Sequence, residues 1–264
     1  MEKLQKLLAQ QGFGSRRQME QWISQGRVKV NGQVATIGMR ASLEDQILVN
    51  DKPLRRARHG TTRPRVLIYH KPEGQICTTS DPDNRPTVFQ ALSRYTKAQA
   101  RWMTVGRLDI NTSGLLLFTT DGELANRLMH PSYQVEREYA VRVYGQLSDQ
   151  QQQQLRDGIM LEDGLARISD IQYDGGSGQN HWYYVVIQEG RNREVRRLFS
   201  ALDVTVSRLT RVRYGQILLP KRVRRGQFWE LPPLDINELR ESVGLKPHHF
   251  SKTFVQKWEH RRPS

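Results

Sequence analysis

The sequence predicts an α+β fold, in which a small amino-terminal domain is joined by a linker to a larger domain with a mixed, mainly antiparallel sheet. Strand patterns dominate, and helical patterns are interspersed among them irregularly. Residues 55–64 combine charge, glycine and proline without an apolar period, which is typical of a linker. These observations divide the chain into domains at 1–60 and 61–245 and a basic carboxy-terminal tail at 246–264.

The charge balance indicates a polyanionic partner. The formal net charge is +14 over 264 residues, and basic side chains gain affinity by releasing counterions from phosphates. No segment approaches the roughly 18 consecutive apolar residues of a membrane span. No basic helix with a Trp/Phe face suits a membrane surface either. We therefore expect a nucleic acid and no membrane as partner, with a merely soluble basic protein as the alternative.

Other features of the sequence indicate the expected cysteine chemistry, cellular location and oligomeric state. The single cysteine, Cys77, excludes an internal disulfide and a cysteine-rich zinc site. The chain runs from Met1 directly into an amphipathic helix without a signal-peptide core, so we expect a cytoplasmic protein. Nothing resembles a dimer seam, so we expect a monomer.

Two helices are predicted at the amino terminus. Leu4, Leu7 and Leu8 lie on one helical face, and a glycine after them ends that helix. Ser15 begins the second helix as its N-cap, with Gln18 three residues on to complete a capping box.

A hairpin and a pair of arginines follow from the same region. Asn31-Gly32 between alternating residues predicts a β-turn of the hairpin type. Arg16 and Arg17 lie in the first turn of the second helix, where positive charge is unfavourable. Beside free helix N–H groups they would nevertheless form a phosphate clamp. Solvated surface charge is the alternative.

The larger domain is predicted from short apolar runs and turn signals. The predicted elements are strands at 66–69, 139–143 and 182–187, a turn at 71–74, helices at 88–92 and from Ser148, and a basic helix at 193–202.

The segment 105–131 places one carboxylate, Asp109, immediately before a polar turn. Residues 111–114 favour the turn, and the apolar run that follows predicts a buried strand. Asp121 is suited to cap the next helix, and Pro131 halts it. Asp109 therefore lies on a turn braced by a strand and a helix. From these residues alone it is either a catalytic candidate or a simple turn former.

Arginines dominate residues 191–225, where eleven basic residues face two acidic ones, Glu194 and Asp203. The planar guanidinium suits phosphate better than a point charge does. Because apolar residues such as Val195 and Leu209 are interleaved, the arginines belong to a folded surface, and nucleic-acid contact is favoured over a solvated face. The eleven are Arg191, Arg193, Arg196, Arg197, Arg208, Arg211, Arg213, Lys221, Arg222, Arg224 and Arg225.

Several other chemistries are excluded by missing motifs. The chain has no P-loop sequence and no zinc-deaminase pattern. Residues 175–178, Gly-Gly-Ser-Gly, lack the strand-to-helix setting of a dinucleotide site and are interpreted as a flexible turn. The histidines have no metal-ligand spacing. We expect no cofactor and no metal.

The first 60 residues resemble the S4 RNA-binding domain. The similarity lies in the order of a helix, Gly-x-x-Ser-Arg-Arg, a second helix and a Gly-Arg-Val-x-Val-Asn-Gly hairpin. The resemblance implies that Arg16, Arg17, Arg27 and Lys29 face RNA.

The larger domain resembles the small-subunit-type ribosomal RNA pseudouridine synthases. The motifs are Gly-Arg-Leu-Asp at 106–109, Ser-Gly-Leu-Leu-Leu at 113–117, Thr-Asp-Gly at 120–122, Arg-Glu-Tyr at 137–139 and Glu-Gly-Arg-Asn-Arg-Glu-Val-Arg-Arg at 189–197. Arg-Pro-Thr-Val-Phe at 85–89 and Ala-Asn-Arg-Leu-Met-His-Pro at 125–131 are similar to members that act on large-subunit RNA. With the S4-like part, the resemblance covers almost the whole chain and favours a catalytic Asp109.

The resemblance implies isomerisation of a specific uridine to pseudouridine in large-subunit ribosomal RNA. Asp109 would start the reaction, and Arg196 would keep its carboxylate ionised, because burial disfavours a lone charge. Tyr139 would stack on the target base, with proton donation as a further role. Arg107 would fill the gap left by the extruded nucleotide, and Leu218 is a candidate wall of the base pocket. Further substrate contacts are predicted at Arg191 and Arg193, and further RNA contacts at Arg197, Arg211 and Arg213.

Some alternatives stay open. Asp109 could attack the base, attack the sugar or remove a sugar proton. Arg196 could be one more phosphate contact, and Tyr139 a core residue. An unpaired loop or bulge is the expected substrate, since extruding an unpaired base costs least. The alternative to an enzyme is a non-catalytic ribosomal RNA-binding assembly factor with the same architecture.

Overall fold

The structure is a computed structural model that describes residues 1–11, 13–54, 63–95, 101–251 and 254–255. It divides into two compact units, Met1–Thr62 and Arg63–Ser264. The predicted boundary at residue 60 and most of the predicted linker lie outside the described residues, as does the end of the predicted tail, 256–264. Within the described ranges, no helix has the length and apolar character needed to cross a lipid bilayer.

The amino-terminal unit packs two helices on short strands. The elements are β1 (Glu2–Lys3), α1 (Leu4–Gln10), α2 (Arg16–Ser24), β2 (Val28–Val30), β3 (Gln33–Val34), β4 (Arg40–Ala41), β5 (Ile47–Val49) and β6 (Lys52–Pro53). The strands form a four-stranded sheet in the order β3-β2-β5-β6, and β1 pairs with β4.

Local signals in this unit act as the sequence predicts. The predicted apolar face of α1 is buried in the core of the unit. The Ser15 side chain accepts a hydrogen bond from the Gln18 backbone N–H, which supplies the Ser15 half of the capping box. Asn31 and Gly32 both have positive φ, 50° and 84°, as a two-residue hairpin turn requires.

The larger unit is built on one mixed sheet. Its elements are β7 (Val66–Lys71), α3 (Val88–Tyr95), β8 (Met103–Val105), β9 (Ser113–Thr119), α4 (Gly122–Met129), a 3-10 turn (Pro131–Tyr133), β10 (Arg137–Tyr144), α5 (Asp149–Asp157), β11 (Ile159–Leu161), β12 (Gly164–Ala166), β13 (Asp170–Ser177), β14 (Asn180–Ile187), α6 (Glu194–Ser200), β15 (Val206–Tyr214), β16 (Ile217–Leu218), β17 (Phe228–Glu230) and α7 (Pro233–Glu241).

The sheet confirms the predicted fold class. Its nine strands follow the order β13-β14-β10-β15-β9-β7-β17, with β8 on β9 and β16 on β15. Among the named strands of the described residues, β9 and β15 form the one parallel pair. The sheet is therefore mixed and mainly antiparallel.

The parallel pair brings two distant segments into very close contact. Ser113 lies opposite Thr210, and their hydroxyl oxygens are 2.9 Å apart. Gly114 lies opposite Arg211 with a φ of +107°, and a Cβ added there would be 2.2 Å from the Arg211 carbonyl oxygen. The Gly after Ser113 is therefore required by the strand pairing itself.

Successive side chains of a strand point to opposite faces of the sheet, so a hydrophobic core forms on each side of it. One core combines Leu116 and Phe118 of β9 with residues of α6, such as Phe199. The other combines Leu115 and Leu117 of β9 with residues of α4 and α7. These layers fix the loops at the ends of β9, β10 and β15.

Helix ends agree with the predicted caps. Asp121 accepts hydrogen bonds from the backbone N–H groups of Glu123 and Leu124, and Ser148 forms a complete capping box with Gln151. The interpretation of residues 175–178 as a flexible turn is wrong for its first three residues, which belong to β13. A register shift before Gly176 takes up the extra residue, and the missing side chain leaves room for His181.

Candidate active site

A cleft of about 1090 Å³ opens in the larger unit where the loops before β9, β10 and α6 meet. Its wall combines residues from the segments 76–85, 104–112 and 129–131, the start of β10, the segment 189–195 and the end of β15. Most of these segments carry motifs singled out in the sequence, and the fold brings them together around one cavity.

Asp109 lines this cavity and is half-buried. Its backbone is fixed on two sides, since its carbonyl oxygen accepts from the Thr112 N–H at 3.1 Å and from the Lys71 ammonium at 3.0 Å. Within the described part of the chain, no hydrogen bond or ion pair occupies the Asp109 carboxylate. The turn is held through its main chain, and the acid group is left available to a substrate.

Lys71 supports that turn from inside the protein. It is fully buried, and its Nζ donates to three carbonyl oxygens: Thr112 at 2.8 Å, Asp109 at 3.0 Å and Pro72 at 3.1 Å. Burial lowers the pKa of Lys71, and the nearby Cys77 and Asp109 oppose that effect. Sequence reasoning missed this role, because the Lys-Pro-Glu-Gly stretch indicated only a turn.

Arg196 reaches the same turn from α6. Its guanidinium donates to the Asn111 carbonyl and to the Val206 carbonyl, each at 2.9 Å. Burial lowers the pKa of Arg196 and Arg193 adds to this, while the negative charge of Asp109 acts in the opposite direction. Arg196 thus lies within electrostatic reach of Asp109 without an ion-pair contact to it.

Tyr139 forms part of the cavity wall beside Arg211. It is 8% exposed, lies on β10 and pairs directly with Arg211 on β15. Two residues earlier, the buried Arg137 donates to the carbonyls of Gln188 and Leu128 and to the Tyr214 hydroxyl. Arg137, which was not selected as a site residue from the sequence, ties the start of β10 to the loops around the cavity.

The predicted substrate arginines also line the cavity. Arg107 and Arg193 are exposed at its wall. Arg191 is more constrained, because it forms an ion pair with Glu189 and donates to the Gly164 and Leu165 carbonyls at 3.1 and 2.8 Å. Arg107 and Arg193 are therefore the more available of the three.

Three predicted contacts lie outside the cavity wall. Leu218 is 62% exposed on β16. Arg197 forms two 2.8 Å hydrogen bonds with the Asp163 carboxylate. Arg213 donates to Glu138 at 2.6 Å and to Glu136 at 3.0 Å. The structure does not bring these three together with Asp109.

The predicted RNA residues of the amino-terminal unit fall into two groups. Arg16 and Arg17 are exposed in the first turn of α2. Arg27 donates to the Asn50 side chain at 2.8 Å and lies over the Trp22 ring, 4.3 Å from its centroid. Lys29 forms a 2.7 Å ion pair with Asp51.

Glu194 is a buried acid at the cavity wall that was not selected as a site residue from the sequence. It is 3% exposed and accepts a hydrogen bond from the Arg191 backbone N–H at 3.0 Å. Burial raises the pKa of Glu194. Over the described ranges, no three His, Cys, Asp or Glu side chains group as metal ligands would.

Comparison with known families identifies both units. The sequence model of the RNA pseudouridylate synthase family matches residues 65–201, and that of the S4 domain matches residues 2–47. A crystal structure of a pseudouridylate synthase superposes with a TM-score of 0.62 at 26% identity, covering 90% of this chain and 100% of that one. The chain belongs to the RNA pseudouridylate synthase family, a family of isomerases, and carries an amino-terminal S4 domain.

The chain is also similar to individual proteins within this family. Proteins named ribosomal large subunit pseudouridine synthase B are 55% identical in Pseudomonas aeruginosa, 56% in Vibrio vulnificus and 54% in Escherichia coli K12. The matches cover 93%, 93% and 97% of this chain, and 64%, 77% and 88% of the relatives in the same order. The chain thus spans just under two thirds of the Pseudomonas relative.

Proposed function

We propose that this protein isomerises a uridine of large-subunit ribosomal RNA to pseudouridine, with Asp109 as the group that starts the reaction. The observation that carries the proposal is the Asp109 turn. Its main chain is bound by Lys71 and Arg196, Asp109 lines the cavity, and its carboxylate has no protein partner in the part of the chain that the structure describes. A fixed backbone with a free acid group is suited to meeting a nucleotide in one orientation.

The reaction moves a base from one bond to another. The N1–C1′ bond of uridine breaks, a C5–C1′ bond forms, C5 loses its proton and N1 gains one. Attack on the base, attack on the sugar and removal of a sugar proton each require an ionised carboxylate against the nucleotide. Arg196 supplies nearby positive charge, which favours that ionised state.

The remaining predicted contacts divide between the base and the RNA backbone. Tyr139 offers a ring at the cavity wall on which a base can stack. Arg107 and Arg193, exposed at the same wall, are placed to hold phosphates or to fill the gap left by the nucleotide. Arg16 and Arg17 are the most available contacts of the S4 unit.

The substrate we propose is an unpaired uridine in a loop or bulge. Extruding a base costs a few kcal/mol, and least where pairing is already absent. The relatives' names contain "ribosomal large subunit", and this supports the same RNA as substrate here. We propose that the protein acts on it as a monomer in the cytoplasm.

Tritium release from ribosomal RNA labelled at C5 of uridine tests the proposal, because C5 loses its proton when the base is reattached through carbon. The wild-type protein should release tritium, and Asp109→Asn should reduce the rate by at least about 10³-fold while still binding RNA. Asp163→Asn, which changes a carboxylate outside the cavity, is the matched control and should keep the rate. RNA binding without release by the wild type would instead support an assembly factor, and an active Asp109→Asn would exclude the assigned role.

A further inference from the structure

Arg211 is a buried cation whose hydrogen-bonding capacity is mostly unused. It is 2% exposed on β15 and lines the cavity. Its Nε donates to the Leu115 carbonyl at 2.8 Å, and its buried Nη2 has no hydrogen-bond partner among the residues that the structure describes. Its guanidinium also lies 5.0 Å from the centroid of the Tyr214 ring. A guanidinium has five N–H donors, so most of its donor capacity is unmatched.

The positive charge of Arg211 also has no counter-charge among the described residues. Among the described residues, no carboxylate lies within ion-pair distance of Arg211, whereas Arg213 on the same strand binds two. Burying a charge without a counter-charge is costly, and so is a buried donor without an acceptor. A group that enters the cavity with an acceptor oxygen and developing negative charge would relieve both costs.

The position of Arg211 indicates which part of the substrate it would meet. Arg211 pairs with Tyr139 across β10 and β15, and both residues line the cavity. A base stacked on the Tyr139 ring presents its edge to the neighbours of that ring. Thr112, 2% exposed, lines the same cavity, and its hydroxyl has no hydrogen-bond partner within the described ranges. Two buried polar groups without partners there, Arg211 Nη2 and the Thr112 hydroxyl, thus belong to residues that line the same cavity as Tyr139.

We propose that Arg211 donates to a carbonyl oxygen of the target uracil and stabilises the negative charge that the base acquires in the reaction. The inference rests on the proposed function. When the N1–C1′ bond breaks, its electron pair leaves with the base and spreads onto O2 and O4. That pair then forms the C5–C1′ bond, C5 gives up its proton and N1 takes one, so the base leaves this site neutral. A buried, fixed cation is most effective where charge develops only in the transition state.

Sulfur substitution of the target carbonyls tests this contact directly. Once the modified uridine is mapped, three RNAs are prepared with uridine, 2-thiouridine or 4-thiouridine at that position. Single-turnover conversion is followed by digestion and chromatography of the nucleosides, for the wild type and Arg211→Met. A thiocarbonyl is a poor acceptor, so one of the two substitutions should slow the wild type by about tenfold.

The variant supplies the decisive comparison. Arg211→Met should convert the natural RNA at least about 100-fold more slowly and should no longer distinguish the sensitive thiouridine from uridine. Arg211→Lys, which keeps the charge, should recover part of the rate. Arg213→Met, a matched change two positions along β15, should discriminate among the three RNAs as the wild type does.

Two results would overturn the inference. Equal effects of both thio substitutions in the wild type and in Arg211→Met would place Arg211 on another atom, such as a phosphate oxygen. A rate for Arg211→Met within about threefold of wild type would remove its role in stabilising the base. If Arg211→Met is slow, urea unfolding and RNA affinity near those of wild type exclude misfolding as the cause. Failure of the wild type to convert any RNA would overturn the proposed function together with this inference.

Discussion

Six cations of the larger unit are bound in two different ways. Lys71, Arg137, Arg196 and Arg211 donate to main-chain carbonyls around the Asp109 turn and the cavity, and we call them the carbonyl-bound cations. Arg197 and Arg213 lie outside the cavity wall and are bound by carboxylates. The first kind retains its net charge, because a carbonyl is a dipole, whereas the second is neutralised by its partner.

This difference shows that a net charge of +14 is not equally available over the surface. Carboxylate-bound arginines add little field beyond their own ion pair, since the opposite charges cancel at a distance. Of the carbonyl-bound cations, Arg137 and Arg211 line the cavity, and Lys71 and Arg196 bind the Asp109 turn, so their charge acts where the proposed reaction requires an ionised Asp109. Arg191 lines the cavity and is also bound by a carboxylate, so the mode of binding decides how much charge a cation offers there but does not by itself mark the cavity.

Arg196→Met should produce the largest effect of the variants that separate the two kinds. It removes one donor to the turn, one donor to the Val206 carbonyl and the charge near Asp109, so we expect turnover to fall by about 10³-fold or more. Tritium release measures it, and Arg196→Lys should recover part of the rate. A rate within about tenfold of wild type would show that the Asp109 turn functions without this cation.

Lys71→Met should come second, with effects on stability and activity. The change removes the Lys71 donor from the Pro72, Asp109 and Thr112 carbonyls, of which Asp109 keeps its bond from the Thr112 N–H, and we expect the free energy of unfolding to fall by about 3 kcal/mol or more. A displaced turn should also reduce turnover by about 100-fold. Urea unfolding and tritium release measure the two effects. Lys221→Met, at an exposed lysine, is the stability control, and equal losses in both variants would refute the support assigned to Lys71.

Arg197→Met should have a small effect. The Arg197 ion pair with Asp163 is partly exposed, with side-chain exposures of 28% and 44%, and such pairs contribute about 0–1 kcal/mol. We expect turnover within about threefold of wild type. Because this is the same exchange as Arg196→Met one position along α6, equal losses in the two variants would remove the distinction between the two kinds of cation.

Glu194→Gln tests a buried acid that the main chain binds. Burial raises the pKa of Glu194, so the folded protein retains this proton at pH values where the unfolded chain has released it. Stability of the wild type therefore decreases as pH rises from the unfolded value, about 4.3, through the raised folded value. The variant lacks this loss and should gain stability relative to wild type over that window, with a constant difference above it. Thermal unfolding against pH measures the gain, and a pH-independent difference would contradict it.

Elements that depend on neighbours in sequence were predictable. Ser15, Asp121 and Ser148 cap helices because each cap needs only the next three residues. Strand β15 was not predicted, because its arginines resemble a solvated basic surface. Its place between β9 and β10 depends on tertiary pairing.

The site was predictable where residue type and motif agree, and not where a residue has an unusual environment. The motif selected Asp109, and the structure places this residue at the cavity wall. Lys71 was missed because a lysine beside a turn normally extends into water. Its burial depends on carbonyls at Asp109 and Thr112, 38 and 41 residues further along the chain. No local sequence pattern predicts such a long-range contact.

The close contact between Gly114 and Arg211 has a consequence for how the active protein arises. It joins segments 97 residues apart, and such closure is entropically costly and slow compared with local helix formation. During refolding, helical signal should therefore return before turnover, because Asp109 and Arg211 converge only after this strand pair has formed. Recovered activity would then report completion of the long-range topology, whereas circular dichroism would report its local parts.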